Sequence, residues 1–99
     1  MITRIVKMTF KPESVNGFKE VFYESQKLIR AFDGCLRVDL MKDINNDCIF
    51  FTLSYWRSEE DLNLYRQSYL FKNTWSKVKP MFSEKAEAWS LLPGQNETI

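Results

Sequence analysis

The 99-residue sequence contains no histidine. That absence removes the side chain most used as a general base near neutral pH, the commonest nitrogen ligand for metals and the usual proximal ligand of haem. Ser-His-Asp and Cys-His nucleophile systems cannot be assembled from one such chain. The 2 cysteines, Cys35 and Cys48, are too few to build a zinc site alone. With only 3 glycines and 3 prolines, the chain is neither fibrous nor a flexible linker. No apolar run approaches the roughly 18 residues of a membrane helix. The 14 basic and 13 acidic side chains leave a net charge of +1, so no overall field favours nucleic acid or a membrane surface. The opening MITRIVKMTF carries Arg4 and Lys7 inside an alternating pattern, unlike a signal peptide, and the expected compartment is the cytoplasm.

What the chain has in quantity is aromatic surface: 8 Phe, 4 Tyr and 3 Trp. That share points to an aromatic-lined pocket or a large buried interface, with a Phe-rich core as the simpler reading. The length fits one domain, expected over residues 1–92, followed by a polar tail over 93–99. A chain this short buries only about 60–68% of the surface its unfolded form exposes, which leaves little interior for a large buried cofactor.

Residues 2–10 alternate as a strand, with Ile2, Arg4, Val6, Met8 and Phe10 on one face. Residues 14–32 read as an amphipathic helix, with Val15, Phe18, Phe22, Ser25, Ile29 and Phe32 on its inner side and Asp33-Gly34 as its stop. Residues 35–43 and 47–56 form a predicted hairpin around Ile44-Asn45-Asn46-Asp47. A register centred on Asn45-Asn46 pairs Leu36 with Tyr55, Val38 with Leu53 and Leu40 with Phe51 in one apolar row. It also places Cys35 and Cys48 at opposite ends, beyond disulfide reach, as reduced structural thiols.

Ser58 is a predicted cap for a second helical region that breaks near Gln67-Ser68 and runs to about Val78, where Pro80 ends it. Residues 84–91 alternate as a last strand, with Ala86, Ala88 and Ser90 on one face. The order β-α-β-β-α-β defines an α+β class, the ferredoxin-like split βαβ arrangement with four antiparallel strands and helices on one face. The other, partly apolar face then needs a cover, and a homodimer is expected.

Several stretches carry a family resemblance. Phe32-Asp33-Gly34-Cys35-Leu36, the strand end Leu53-Ser54-Tyr55-Trp56, the helix opening Arg57-Ser58-Glu59-Glu60-Asp61-Leu62, the run Ser68-Tyr69-Leu70-Phe71-Lys72, and Lys11-Pro12-Glu13 together resemble the antibiotic biosynthesis monooxygenase (ABM) domain over residues 2–91. The resemblance implies a dimeric α+β barrel with a small pocket between sheet and helices. It implies oxidation of quinols, anthrones and related aromatics by O₂ without metal or flavin. A second branch of the family binds and degrades haem. That branch relies on a later histidine, a first-strand Asn and a helical Trp, whose counterparts here are Trp75, Val6 and Tyr65, so haem degradation is not expected. Many members also carry a histidine nine residues after the Trp that ends the third strand, and Tyr65 stands at that place.

These readings select five residues. Trp56 and Tyr65 are the catalytic candidates: an indole N–H to hold a substrate oxygen, and a phenol as hydrogen-bond donor or weak base. Arg37, Tyr69 and Trp75 are the substrate-binding candidates, with Arg37 steadying an anion. Each has a plainer alternative: Trp56, Tyr69 and Trp75 as core aromatics, Tyr65 as an amphipathic-helix residue with a wet hydroxyl, and Arg37 paired with Asp39. Neither a metal site nor a cofactor is expected. The basic run Arg66, Lys72, Lys77 and Lys79 with its interleaved aromatics is a weak signal for nucleic acid, because no RNA-binding motif accompanies it. The expected function is a cofactor-independent monooxygenase that uses O₂ on a small quinol-like or polyphenolic aromatic. The competing expectation is a non-catalytic ligand-binding or interaction module on the same dimeric scaffold.

Overall fold

The computed structural model describes residues 1–94. Strand β1 (Ile2–Thr9) leads through a 3₁₀ turn at Pro12–Ser14 into helix α1 (Val15–Arg30). A hairpin of β2 (Cys35–Lys42) and β3 (Ile49–Trp56) follows, then α2 (Glu59–Arg66), α3 (Tyr69–Val78), a 3₁₀ turn at Lys79–Met81 and β4 (Glu87–Leu91). The strands lie in the order β2-β3-β1-β4, and every neighbouring pair is antiparallel. This is the expected ferredoxin-like α+β arrangement with the second helical region split in two. Of the expected tail, Pro93 and Gly94 are exposed, and 95–99 lie outside the described residues.

The split has a local cause. Ser58 accepts a hydrogen bond from the Asp61 amide at 3.1 Å and starts α2. Ser68 accepts one from the Phe71 amide at 3.1 Å and starts α3. A second serine in extended conformation, ready to satisfy a new set of orphan amides, ends one helix by beginning another.

Helix α1 buries Phe18, Phe22, Ser25 and Ile29, the 3.6-period face that the sequence pattern predicts. Phe18 stacks on Phe10 with ring centroids 4.1 Å apart and meets Phe50 at 5.5 Å. Each such buried ring contributes on the order of 1.5–3 kcal/mol through the apolar area it removes from water. Ile2, Trp56 and Leu62 form a second buried cluster at the other end of the sheet.

The hairpin register differs from expectation. Cys35 pairs with Trp56 as predicted, but Arg37 then pairs with Tyr55, Val38 with Ser54 and Leu40 with Thr52. Leu36 is the extra residue of a bulge and is 57% exposed. The one-residue step undoes the predicted apolar row. Val38 and Leu40 face the helices, whereas their expected partners Leu53 and Phe51 lie on the opposite face of β3. That strand is apolar on both faces, so alternation alone did not decide which row points inward.

The last strand also starts later than predicted. Lys7 pairs with Glu87, yet Phe10 bridges to Phe82, so five steps on one chain oppose three on the other. The surplus residues leave the ladder between Phe82 and Glu87.

The helix-facing side of the sheet is large at its ends and small in the middle. Phe50 and Trp56 sit at the ends of β3, with Thr52 and Ser54 between them. Across β1, Val6 pairs with both Thr52 and Ala88. Interiors are normally filled to crystal density. Here the small central residues leave space beneath the helices.

Candidate functional site

That space is a cavity of about 360 Å³ between the sheet and the helices. Its floor includes Arg4, Val6, Thr52, Ser54 and Ala88, and its roof includes Phe22, Ile29, Leu62, Tyr65, Phe71 and Trp75. The size lies at the lower end of the roughly 300–1,000 Å³ typical of small-molecule sites, and the lining is mainly apolar with a few polar groups, as such sites require.

One wall is a chain of aromatic rings. Trp56 stacks on Tyr65 at 4.8 Å, Tyr65 meets Phe71 edge-on at 5.3 Å, and Phe71 lies nearly parallel to Trp75 at 5.9 Å. Helical spacing sets the sequence of the last three: Tyr65 sits on α2, and Phe71 and Trp75 are four apart on α3. Tyr65 stands nearly perpendicular to Phe71 and Trp75, so a planar aromatic guest that stacks on one orientation meets the other at an edge.

The five residues singled out from sequence separate into two groups. Tyr65 and Trp75 line the cavity. The Tyr65 hydroxyl makes no hydrogen bond to a described residue, nor does the Trp75 indole N–H. Burial, with Cys35 as a lesser contributor, pushes the Tyr65 phenol well above the ordinary tyrosine value. It is therefore a neutral donor at neutral pH, and the weak-base role expected for it would need a lowered pKa, the opposite of the shift that burial causes.

The other three lie elsewhere. Trp56 is 0% exposed and is absent from the cavity lining. Its indole N–H donates to the Ser54 hydroxyl at 2.9 Å, so it is not available to a substrate. Arg37 pairs across the ladder with Tyr55, on the sheet face away from the helices, and bonds Asp39 at 2.6 Å. Tyr69 is 81% exposed at the first residue of α3 and is absent from the lining. Trp56 nevertheless bears on the site through Ser54. By occupying the acceptor side of that buried hydroxyl, it leaves the hydroxyl's own hydrogen to point elsewhere.

Arg4 and Arg66 line the cavity too and were not selected from sequence. The signal for Arg4 was present: a lone charge on the strand face otherwise formed by Ile2, Val6, Met8 and Phe10. Arg66 lies four residues after the buried Leu62 and so shares its face. Arg4 donates to the Ser90 hydroxyl at 2.8 Å. Burial, and then the charge of nearby Arg66, lower the Arg4 guanidinium from the usual arginine value. Thr74 completes the polar lining, with its hydroxyl 3.4 Å from that of Ser25.

Among the described residues, no group of three or more Cys, Asp or Glu side chains is placed to hold a metal ion. Both cysteines are free, and burial raises the Cys35 thiol, which keeps it in its unreactive protonated form. Among the described residues, no helix is long and apolar enough to cross a membrane.

A four-stranded antiparallel sheet under helices, enclosing an aromatic-walled cavity, defines the class as a ferredoxin-like α+β protein with an internal space of small-molecule size. The chain belongs to the antibiotic biosynthesis monooxygenase family, whose model matches residues 1–76. Three solved structures illustrate the likeness. A structure described as an antibiotic biosynthesis monooxygenase superposes with a TM-score of 0.89 at 17% identity, covering 95% of this chain and 99% of its own. Rv0793 of Mycobacterium tuberculosis gives 0.87 at 18% identity, covering 98% of each chain. A conserved protein of Methanosarcina mazei Go1 gives 0.86 at 22% identity, covering 92% of this chain and 91% of its own. At such identities the likeness establishes the fold. No curated protein matches the chain.

Proposed function

We propose that this protein is a cofactor-independent oxygenase of small quinol-like or polyphenolic aromatics, acting in the cytoplasm. The observation that carries the reading is the cavity of about 360 Å³, walled by stacked rings and furnished with unengaged hydrogen-bond donors. An anthrone-like substrate gives up a proton from its central carbon to solvent before it is enclosed and becomes an electron-rich enolate. The enolate passes an electron to O₂, and the two radicals join as a carbon-bound peroxide anion, which takes a proton back. Loss of water leaves a new carbonyl, with one oxygen atom in the product and one in water. All electrons come from the substrate, so the chemistry asks no metal or flavin of the protein.

The protein's part is to hold the ring among Tyr65, Phe71 and Trp75 and to exclude bulk water. It also directs the Tyr65 hydroxyl and the Trp75 N–H at developing negative charge on oxygen. Removing one such donor commonly costs about 10²–10³ in rate where it serves an oxyanion. The test is O₂ consumption by chelated protein with a panel of naphthoquinols and anthrones. We expect a protein-dependent rate above autoxidation that falls at least about tenfold in Tyr65→Phe. No protein-dependent rate on any substrate overturns the reading.

The second reading is a non-catalytic small-ligand module on the same scaffold. What favours it is the lack of a proton acceptor: no histidine exists, and burial holds Tyr65 neutral. In either case we propose a homodimer. Ile5, Leu53, Phe51 and Tyr55 share the sheet face away from the helices, together with the more exposed Trp89 and Leu91. A second copy would cover that face.

A further inference from the structure

Among the described residues, the cavity lining contains two cations, Arg4 and Arg66, and no carboxylate. Among the described residues neither arginine forms an ion pair; the acidic partners Asp33, Asp39, Asp47 and Asp61 are engaged by Arg37, Lys42 and Arg57. Arg4 spends one donor on Ser90, and Arg66 makes no hydrogen bond to a described residue. A guanidinium carries five donors in a planar fork suited to an oxyanion. Burying one beside a second positive charge is unfavourable unless an anion offsets it. Arg4 is half-buried at the cavity floor, and the charge of the exposed Arg66 acts on it, so the two guanidinium groups are neighbours on the side where the space meets solvent. The rest of the lining is mainly apolar and aromatic. The combination suits a flat hydrocarbon body with negative oxygen at one edge.

We infer that Arg4 and Arg66 form an anion subsite, and that the ligand is an aromatic oxyanion held with its charged edge between the two guanidinium groups. The inference deepens the reading above and rests on it only for the aromatic body. It adds that the ligand is recognised in its anionic form. Two sources supply that chemistry, a ring-bound carboxylate and an ionised ring hydroxyl.

Calorimetric titration of the full chain with 2-naphthoate, 2-naphthamide and 2-naphthol distinguishes them. We expect 2-naphthoate to bind at least about tenfold more tightly than the neutral amide, because a charge-assisted contact is worth about one such factor. Arg4→Gln and Arg66→Gln should each remove most of that advantage. Lys72→Gln, on the exposed side of α3, should leave it intact. Circular dichroism of each variant separates lost recognition from lost folding, and the exposed Arg66 provides the variant that fold damage affects least. Ionisation of bound 2-naphthol at a pH where free naphthol is neutral, without a naphthoate preference, assigns the subsite to an ionised hydroxyl. Equal binding of acid and amide with no naphthol ionisation, or binding of none of the three, overturns the inference. The oxygenase reading fails separately: an anion preference without O₂ consumption leaves the subsite standing, and O₂ consumption without an anion preference removes the subsite alone.

Discussion

Tyr65 is where sequence and structure meet most closely. Its place nine residues after Trp56 drew attention to it, and the fold sets it on the cavity wall against Trp56, Phe32 and Phe71. Burial, more than the neighbouring Cys35, raises its pKa above the ordinary value of 10.0. The folded protein therefore favours the protonated phenol, and that contribution is fully present below the unfolded pKa of about 10. It is lost as pH rises above that point, where the unfolded chain releases the proton first. Urea midpoints measured from about pH 8 to 11 should fall more steeply in the wild type than in Tyr65→Phe. Identical alkaline limbs would contradict the burial argument. Arg37 was legible in place as well as chemistry, since it falls opposite the apolar Val38 and Leu40 row and its pairing with Asp39 stood as the plainer reading. Trp56 was legible as chemistry but not as location, because the hydrogen bond to Ser54 that engages it leaves no mark in residue type. Arg4 and Arg66 were readable in their positions relative to apolar neighbours, while their lack of ion-pair partners among the described residues was not.

Among the elements, the junction between β2 and α2 is the most constrained. Gly34 has φ +90°, and its carbonyl accepts from the Arg57 amide at 2.8 Å. A Cβ there would collide with the Asp61 side chain, which receives Arg57 Nε at 2.9 Å and the Ser58 hydroxyl at 3.0 Å. Backbone conformation and space both demand glycine at this point. Gly34→Ala should cost at least about 2 kcal/mol in denaturant unfolding, beyond the range of an ordinary surface change. A loss below half that figure would show that α2 can shift to accept the methyl group. The elements themselves were legible because their signals are local: Ser58 and Ser68 as caps, Asp33-Gly34 as a stop, the four-residue rhythm of Phe18 and Phe22. The register of β2 on β3 beyond Cys35 was not, because Phe50 to Trp56 is apolar on both faces and nothing local marks the bulge at Leu36.

At the scale of the whole molecule, topology was readable from the order of elements, while the cavity was expected from the family resemblance and the aromatic share but not from any local pattern. It arises where Thr52, Ser54, Val6 and Ala88, from three strands, come together, and no window of sequence contains that coincidence. The proposed dimer rests on the opposite sheet face. Leu53 lies there between Ile5 and Asp39. Sedimentation should find the wild type at twice the chain mass and Leu53→Glu at the chain mass, with the helical circular dichroism retained. A monomeric wild type would leave the dimer without support. The three tryptophans divide the molecule optically as well. Trp56 is sealed in the interior, Trp75 borders the cavity, and Trp89 is 43% exposed on the outer sheet face. Their emission should therefore separate by wavelength and by access to a soluble quencher. Chains retaining one tryptophan each would report independently on the core, on filling of the cavity and on covering of the sheet, so the sequence carries its own set of intrinsic probes.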